Sequence, residues 1–196
     1  MCGIAGFIGR SKNPKVSFEL IHEIFDILEV RGTDASGVWA TERGTEGKIV
    51  YHKEPLKSSN FVKKKVWTNI EKFDTDLMVI HARAATPGVG KPADNKNNHP
   101  FTSSCRTIGL VHNGKVPEAT HLKEKYERFS TCDSEILLRI FENKQGKLDL
   151  SADKKFPAWT EERLAGIADI WSQADTAHMA VGIGERHDNG DRSLWF

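Results

Sequence analysis

The stretch Met1-Cys2-Gly3-Ile4-Ala5-Gly6-Phe7-Ile8 decides how the rest of the chain is read. Cys2 to Ile8 is expected to form a short buried strand at the very start of the chain. Cys2 is its informative residue. A small second residue permits removal of the initiator methionine, which puts a thiol and a free α-amine on one residue. The amine has a reference pKa of ~7.7–8.0 and the thiol ~8.5, so near neutral pH the amine can accept the thiol proton. That pairs a nucleophile with its own base, as when an N-terminal amine activates threonine. Position alone favours a small buried structural residue, so the rest of the chain has to arbitrate.

Working outward, the 196 residues carry 28 basic and 27 acidic side chains, for a net charge of +1. This balance gives no electrostatic reason to expect nucleic acid or an anionic membrane as a partner. Hydrophobic residues at 38% and charged residues at 28% are ordinary for a folded globular chain and argue against disorder. The length suits one domain spanning residues 1–196. No apolar run reaches the ~20 residues of a membrane span, and the start lacks the basic residues of a signal peptide. Three cysteines, Cys2, Cys105 and Cys132, cannot all pair and have no zinc spacing, which points to a reducing, cytoplasmic setting.

The hydrophobic pattern predicts a helix opening at Pro14 and ending at Arg31-Gly32, then strands at Gly37–Thr41 and Lys48–Lys53 around a glycine-bearing turn. Phe61–Phe73 reads as one amphipathic helix whose Lys63-Lys64-Lys65 run is a solvated face. Leu77–Ala82 and Thr107–Val111 read as strands, separated by a Gly-, Pro- and Asn-rich loop from Thr86 to Pro100 that is long enough to act as a lid or binding loop. Helices are expected at Pro117–Phe129, Ser134–Asn143 and Thr160–Ser172. Met179–Ile183 and Ser193–Phe196 close the chain as strands. The mixture predicts an α+β class.

Two tempting patterns fail. Gly90-Lys91 lacks the first glycine and the hydroxyl residue of a phosphate-binding loop. Asp94 to Asn98 opens like a calcium loop, but His99 takes its glycine position and Cys105 its bidentate glutamate position. The eight histidines include no HExxH pair, so neither a metal nor a cofactor is expected.

Five further motifs follow Met1-Cys2-Gly3-Ile4-Ala5-Gly6-Phe7 in order: Arg31-Gly32-Thr33-Asp34-Ala35-Ser36-Gly37, His81-Ala82-Arg83-Ala84-Ala85-Thr86, Asn98-His99-Pro100-Phe101, Val111-His112-Asn113-Gly114 and Thr131-Cys132-Asp133-Ser134-Glu135. Taken together they resemble the class II glutamine amidotransferases, whose glutaminase domain is an N-terminal nucleophile hydrolase, and within them the glutaminase part of glucosamine-6-phosphate synthase. The resemblance spans nearly the whole chain. It implies a four-layer αββα sandwich of two mostly antiparallel sheets, and hydrolysis of the L-glutamine side-chain amide.

The resemblance implies that Cys2 attacks the amide carbon, and that the Asn113 side chain with the Gly114 backbone N–H stabilises the oxyanion. Arg83 would hold the substrate α-carboxylate and Asp133 its α-ammonium. Thr86 and His99 would line the pocket, and Arg31 and Gly32 would orient the N-terminal cysteine. Cys105 and Cys132 are left as structural thiols. Each residue also has a plainer reading: Asn113-Gly114 as a hairpin turn, Arg83 as a surface arginine at a strand end, Asp133 as a helix N-cap. Ala84 stands where the synthase relatives carry tryptophan, and Pro87 where they carry histidine, which leaves lid closure and coupling to a synthase site open without touching the nucleophile. The family domain normally continues past Ser193–Phe196 into an acceptor domain, so a free-standing glutaminase, a subunit awaiting a synthase partner and a C-terminally short copy all stay open, and a synthase or other acceptor for the ammonia is expected. The oligomeric state stays open. Two rivals stand beside this reading: an amidase acting on another amide, and a catalytically idle or regulatory binding module.

Overall fold

The computed structural model describes residues 1–9, 14–44, 46–85, 90–143, 159–175 and 178–196. They fall into two compact units, Met1–Gly114 with Met179–Phe196, and Lys115–His178.

The first unit is built on β4 (Thr75–Arg83), all nine residues of which are buried. It lies between β1 (Gly3–Ile8) and β2 (Ala35–Glu42), antiparallel to both, and β3 (Ile49–Glu54) pairs with β2 to give the order β1-β4-β2-β3. Side chains alternate between the faces of a strand, and the alternation sorts the core. Met78, Ile80 and Ala82 of β4 join Val38 and Ala40 of β2 in a cluster with Phe18, Ile21 and Phe25 of α1 (Pro14–Leu28). On the opposite face Leu77 and Val79 meet Trp39, Val111, Ile4 and Leu194. His81 and Arg83 continue that second series, so the strand's period carries them to its carboxyl end on the face turned toward the second sheet.

That second sheet has the order β5-β6-β7-β8, from Phe101–Thr102, Ile108–Lys115, His178–Arg186 and Arg192–Trp195, with antiparallel β5–β6 and β7–β8 pairs. Trp39 fills the space between the sheets, its ring against Gly109 and Gly184 and its indole N–H donating to the Arg106 carbonyl at 2.8 Å. The two antiparallel sheets and their flanking helices bear out the expected α+β class.

Phe61–Phe73 is not one helix. α2 (Ser58–Phe61) and α3 (Lys65–Ile70) are separated by an extended Lys64, with φ −76° and ψ 148°. On a continuous helix Phe61 and Trp67 would point about 120° apart. The break lets both reach Phe25, at ring-centroid distances of 5.8 and 5.2 Å. Full burial of side chains this large contributes roughly 1.5–3 kcal/mol each, which outweighs the few hydrogen bonds a longer helix would add. Lys63, Lys64 and Lys65 are exposed, as a solvated face requires.

In the second unit, α5 (Glu135–Asn143) buries Ile136, Leu137, Leu138, Ile140 and Phe141 and packs on α6 (Trp159–Gln173). The helix expected over Pro117–Phe129 shortens to α4 (Ala119–Leu122). The backbone N–H groups of Phe129 and Ser130 donate to the Glu135 carboxylate at 3.0 and 2.8 Å instead of to helical carbonyls. Among the described residues, no helix is long and apolar enough to cross a membrane.

Candidate active site

The N-terminal strand places Cys2 beside the end of β6. The Cys2 backbone nitrogen donates to Asn113 Oδ1 at 2.9 Å, and its carbonyl accepts from Arg31 Nε at 3.0 Å. Arg31 therefore holds Cys2 through the carbonyl, and Asn113 holds the nitrogen. The Cys2 thiol donates to the Ala84 carbonyl at 3.5 Å. Burial pushes the thiol pKa up, and the Ala84 contact with the nearby positive charges offsets only part of that rise. The thiol is thus protonated near neutral pH. Met1, the residue ahead of Cys2, is 84% exposed.

Gly32 explains the tight packing around Cys2. A Cβ at this position would lie 2.3 Å from the Arg83 carbonyl carbon and 2.5 Å from the Ala84 nitrogen, so only glycine allows the two segments to pass. Asp34 adds two bonds to the same peptide run. Its N–H donates to the Arg83 carbonyl at 2.9 Å, and its carboxylate accepts the Ala85 N–H at 2.7 Å. Gly114 has φ +152°, a backbone that side-chain-bearing residues avoid, directly after Asn113.

Arg83 is 3% exposed, and its guanidinium donates to Asn98 Oδ1 and to the Gly90 carbonyl, both at 2.6 Å. His99 is buried with its ring stacked on His81, centroids 4.1 Å apart and 13° between planes. His81 in turn donates from Nε2 to the His112 carbonyl at 2.9 Å, joining β4 of one sheet to the strand that carries Asn113. Burial lowers the His81 pKa to about 3, and burial with the surrounding charges holds His99 well below 6.5.

Those two neutral imidazoles make stability pH-dependent. Unfolded, each takes up a proton near pH 6.5; folded, neither does until far lower pH. The unfolded state therefore binds more protons below pH 6.5, and stability falls as pH falls through that window. The slope reaches at most ~2.7 kcal/mol per pH unit for two protons. Urea denaturation midpoints are expected to drop between pH 7 and pH 5; equal midpoints would contradict the neutral histidine pair.

The structure thus brings Cys2, Asn113, Gly114, Arg31, Gly32 and Arg83 into one neighbourhood of the first unit. Thr86 and Pro87 lie outside the described residues. Asp133 belongs to the second unit, where Oδ2 accepts the Val116 N–H at 2.7 Å and Oδ1 the Ser134 N–H at 2.9 Å. Asp133 lies two residues ahead of α5, and its Oδ1 bonds the N–H of the adjacent Ser134, not one two or three positions on as an N-cap would. Asp34 and Asn98 were not singled out from the sequence, although both stand inside motifs that were.

No protein-family model matches the chain. It is similar to glutamine–fructose-6-phosphate aminotransferases (isomerizing). The Aquifex aeolicus protein is 32% identical over 154 residues, covering 76% of this chain and 24% of the relative. The Clostridium tetani protein is 31% identical over 153 residues, with 72% and 22% covered. The Pyrococcus horikoshii protein is 33% identical over 147 residues, again with 72% and 22% covered. The chain spans about a quarter of the length of these curated relatives. With that similarity, the six ordered motifs and the Cys2–Asn113 arrangement, the chain belongs to the class II glutamine amidotransferases.

Proposed function

We propose that this chain is a glutaminase that hydrolyses the side-chain amide of L-glutamine and hands the ammonia to an acceptor. One observation carries the reading: the Cys2 nitrogen is fixed 2.9 Å from Asn113 Oδ1. Cleavage after Met1 turns that nitrogen into an α-amine on the same residue as the thiol. With Oδ1 taken by the nitrogen, the Nδ2 end of Asn113 is the donor left for an oxyanion.

In the first step the amine accepts the thiol proton while sulfur bonds to the amide carbon. The tetrahedral oxyanion takes hydrogen bonds from Asn113 Nδ2 and the Gly114 N–H. The C–N bond then breaks, and ammonia leaves with the relayed proton, giving a thioester. Water, deprotonated by the same amine, cleaves the thioester to glutamate and restores the thiol. Arg83 binds the α-carboxylate, for which a guanidinium offers two parallel donors, and Asp133 binds the α-ammonium. Thr86 and His99 line the pocket, and the two units together form one glutaminase domain. An acceptor enzyme or attached synthase segment consumes the ammonia, in the cytoplasm.

Purified chain incubated with glutamine should release glutamate and ammonia in equal amounts. Arg83→Ala should raise KM for glutamine at least ~30-fold, the cost of deleting one partner of a buried charge pair. Equal kcat/KM for glutamine and for a simple aliphatic amide would instead favour an amidase with another substrate.

A further inference from the structure

Lys53 lies on β3 and reaches across to the loop that leads into β5. Its ammonium donates to the carbonyls of Asn98 at 2.5 Å and of Lys96 and Pro100 at 3.3 Å each. It also lies 4.7 Å from the Phe101 ring centroid and 5.5 Å from that of Tyr51. An ammonium has three N–H donors, and three carbonyls receive them, while the ring faces favour the cation. The loop grips the strand in return: Asn95 Nδ2 donates to the Lys53 carbonyl at 2.6 Å.

What this cradle fixes is the backbone of Asn98. The side chain of the same residue accepts from Arg83 through Oδ1 and donates from Nδ2 to the Pro92 carbonyl at 2.8 Å and Asn95 Oδ1 at 3.0 Å. The position of Asn98 sets the direction of the Arg83 guanidinium, and Lys53 sets the position of Asn98. Charge points the same way. The positive charges of Arg83 and Lys53 both disfavour protonation of the buried His81 and His99, so the field around these rings suits an anionic group of a ligand.

We propose that Lys53 is a positioning residue for substrate binding: through the Asn98 loop it aims the Arg83 guanidinium at the glutamine α-carboxylate. The assignment rests on Arg83 being that carboxylate's partner. A loop staple without this role would change stability and leave glutamine affinity alone, so kinetics separate the two.

The test is steady-state glutaminase kinetics on the full chain with Met1 removed, for Lys53→Met, Lys53→Arg, Arg83→Ala and the Lys53→Met/Arg83→Ala double variant. Methionine keeps the apolar stem and removes the charge. Lys53→Met should raise KM for glutamine about tenfold, the scale of a hydrogen bond to a charged group, while kcat stays within about twofold. Lys53→Arg, which keeps a cation, should recover part of the loss. In the Arg83→Ala background Lys53→Met should add less than about twofold, because residues acting through one contact are not additive. Should Lys53→Met melt below the assay temperature, Lys53→Gln takes its place with the same expectation. An unchanged KM for the Lys53 variants beside a raised KM for Arg83→Ala overturns the positioning role alone. Fully multiplicative effects in the double variant overturn it as well. An unchanged KM for Arg83→Ala overturns the clamp and the positioning role together.

Discussion

Cys2→Ala is expected to lower glutamine turnover by at least ~10⁴-fold, because it removes the atom that forms the covalent intermediate. The thiol is half-buried, and its S–H donates to the Ala84 carbonyl. Alanine fits that space, so the loss should appear in kcat with little change in thermal midpoint. Cys2→Ser is the sharper variant. It keeps a hydroxyl in place of the thiol and retains the α-amine, but a serine hydroxyl is a far weaker acid at the pH where the amine is a base. Turnover should therefore remain near the alanine level. Glutamate release by Cys2→Ser within tenfold of the parent would contradict attack by sulfur.

Asn113→Ala is expected to cost ~10²–10³-fold in kcat, the range for losing one oxyanion donor. In this chain Asn113 has a second duty that alanine also removes, since its Oδ1 accepts the Cys2 nitrogen at 2.9 Å. Asn113→Asp separates the two. Aspartate keeps an oxygen for the nitrogen but cannot donate while ionised, and it sets a negative charge where the oxyanion develops. It should be at least as slow as alanine. The rates of both variants, measured at saturating glutamine, check this; an aspartate variant near parental activity would show that Asn113 serves the amine and not the oxyanion.

The parts of the fold legible in the sequence were those whose burial leaves a local pattern, either a continuous apolar run or a regular period. The apolar run Leu77–Ala82 sits inside a strand buried on both faces, and Phe18, Ile21 and Phe25 recur at helical spacing on α1. The two misread helices fail for a tertiary reason. Phe61 and Trp67 are needed in one aromatic cluster, and the backbone breaks at Lys64 to bring them there. Near Phe129 the carboxylate of Glu135 competes for backbone N–H groups that periodicity assigns to a helix. β5, two residues long, carries too little pattern to be seen.

The site divides the same way. Residues whose chemistry is local, Cys2 with its prospective amine and the Asn113-Gly114 pair, stand out in short motifs. Residues whose role depends on distant contact do not. Lys53 and Asn98 are separated by 45 positions along the chain, and a lysine on a half-buried strand gives no signal of the carbonyls it will meet. Asp34 reaches Ala85 across 51 positions, so its bond to the segment beside the thiol appears only once the chain is folded.

Intact-mass spectrometry of the protein that turns over glutamine bears most directly on the account. The mass should correspond to the chain without Met1, with Cys2 as its first residue and its nitrogen a free amine. A fully active protein that retains Met1 would mean that the thiol proton goes elsewhere, and the mechanism built on Cys2 as its own base would be contradicted.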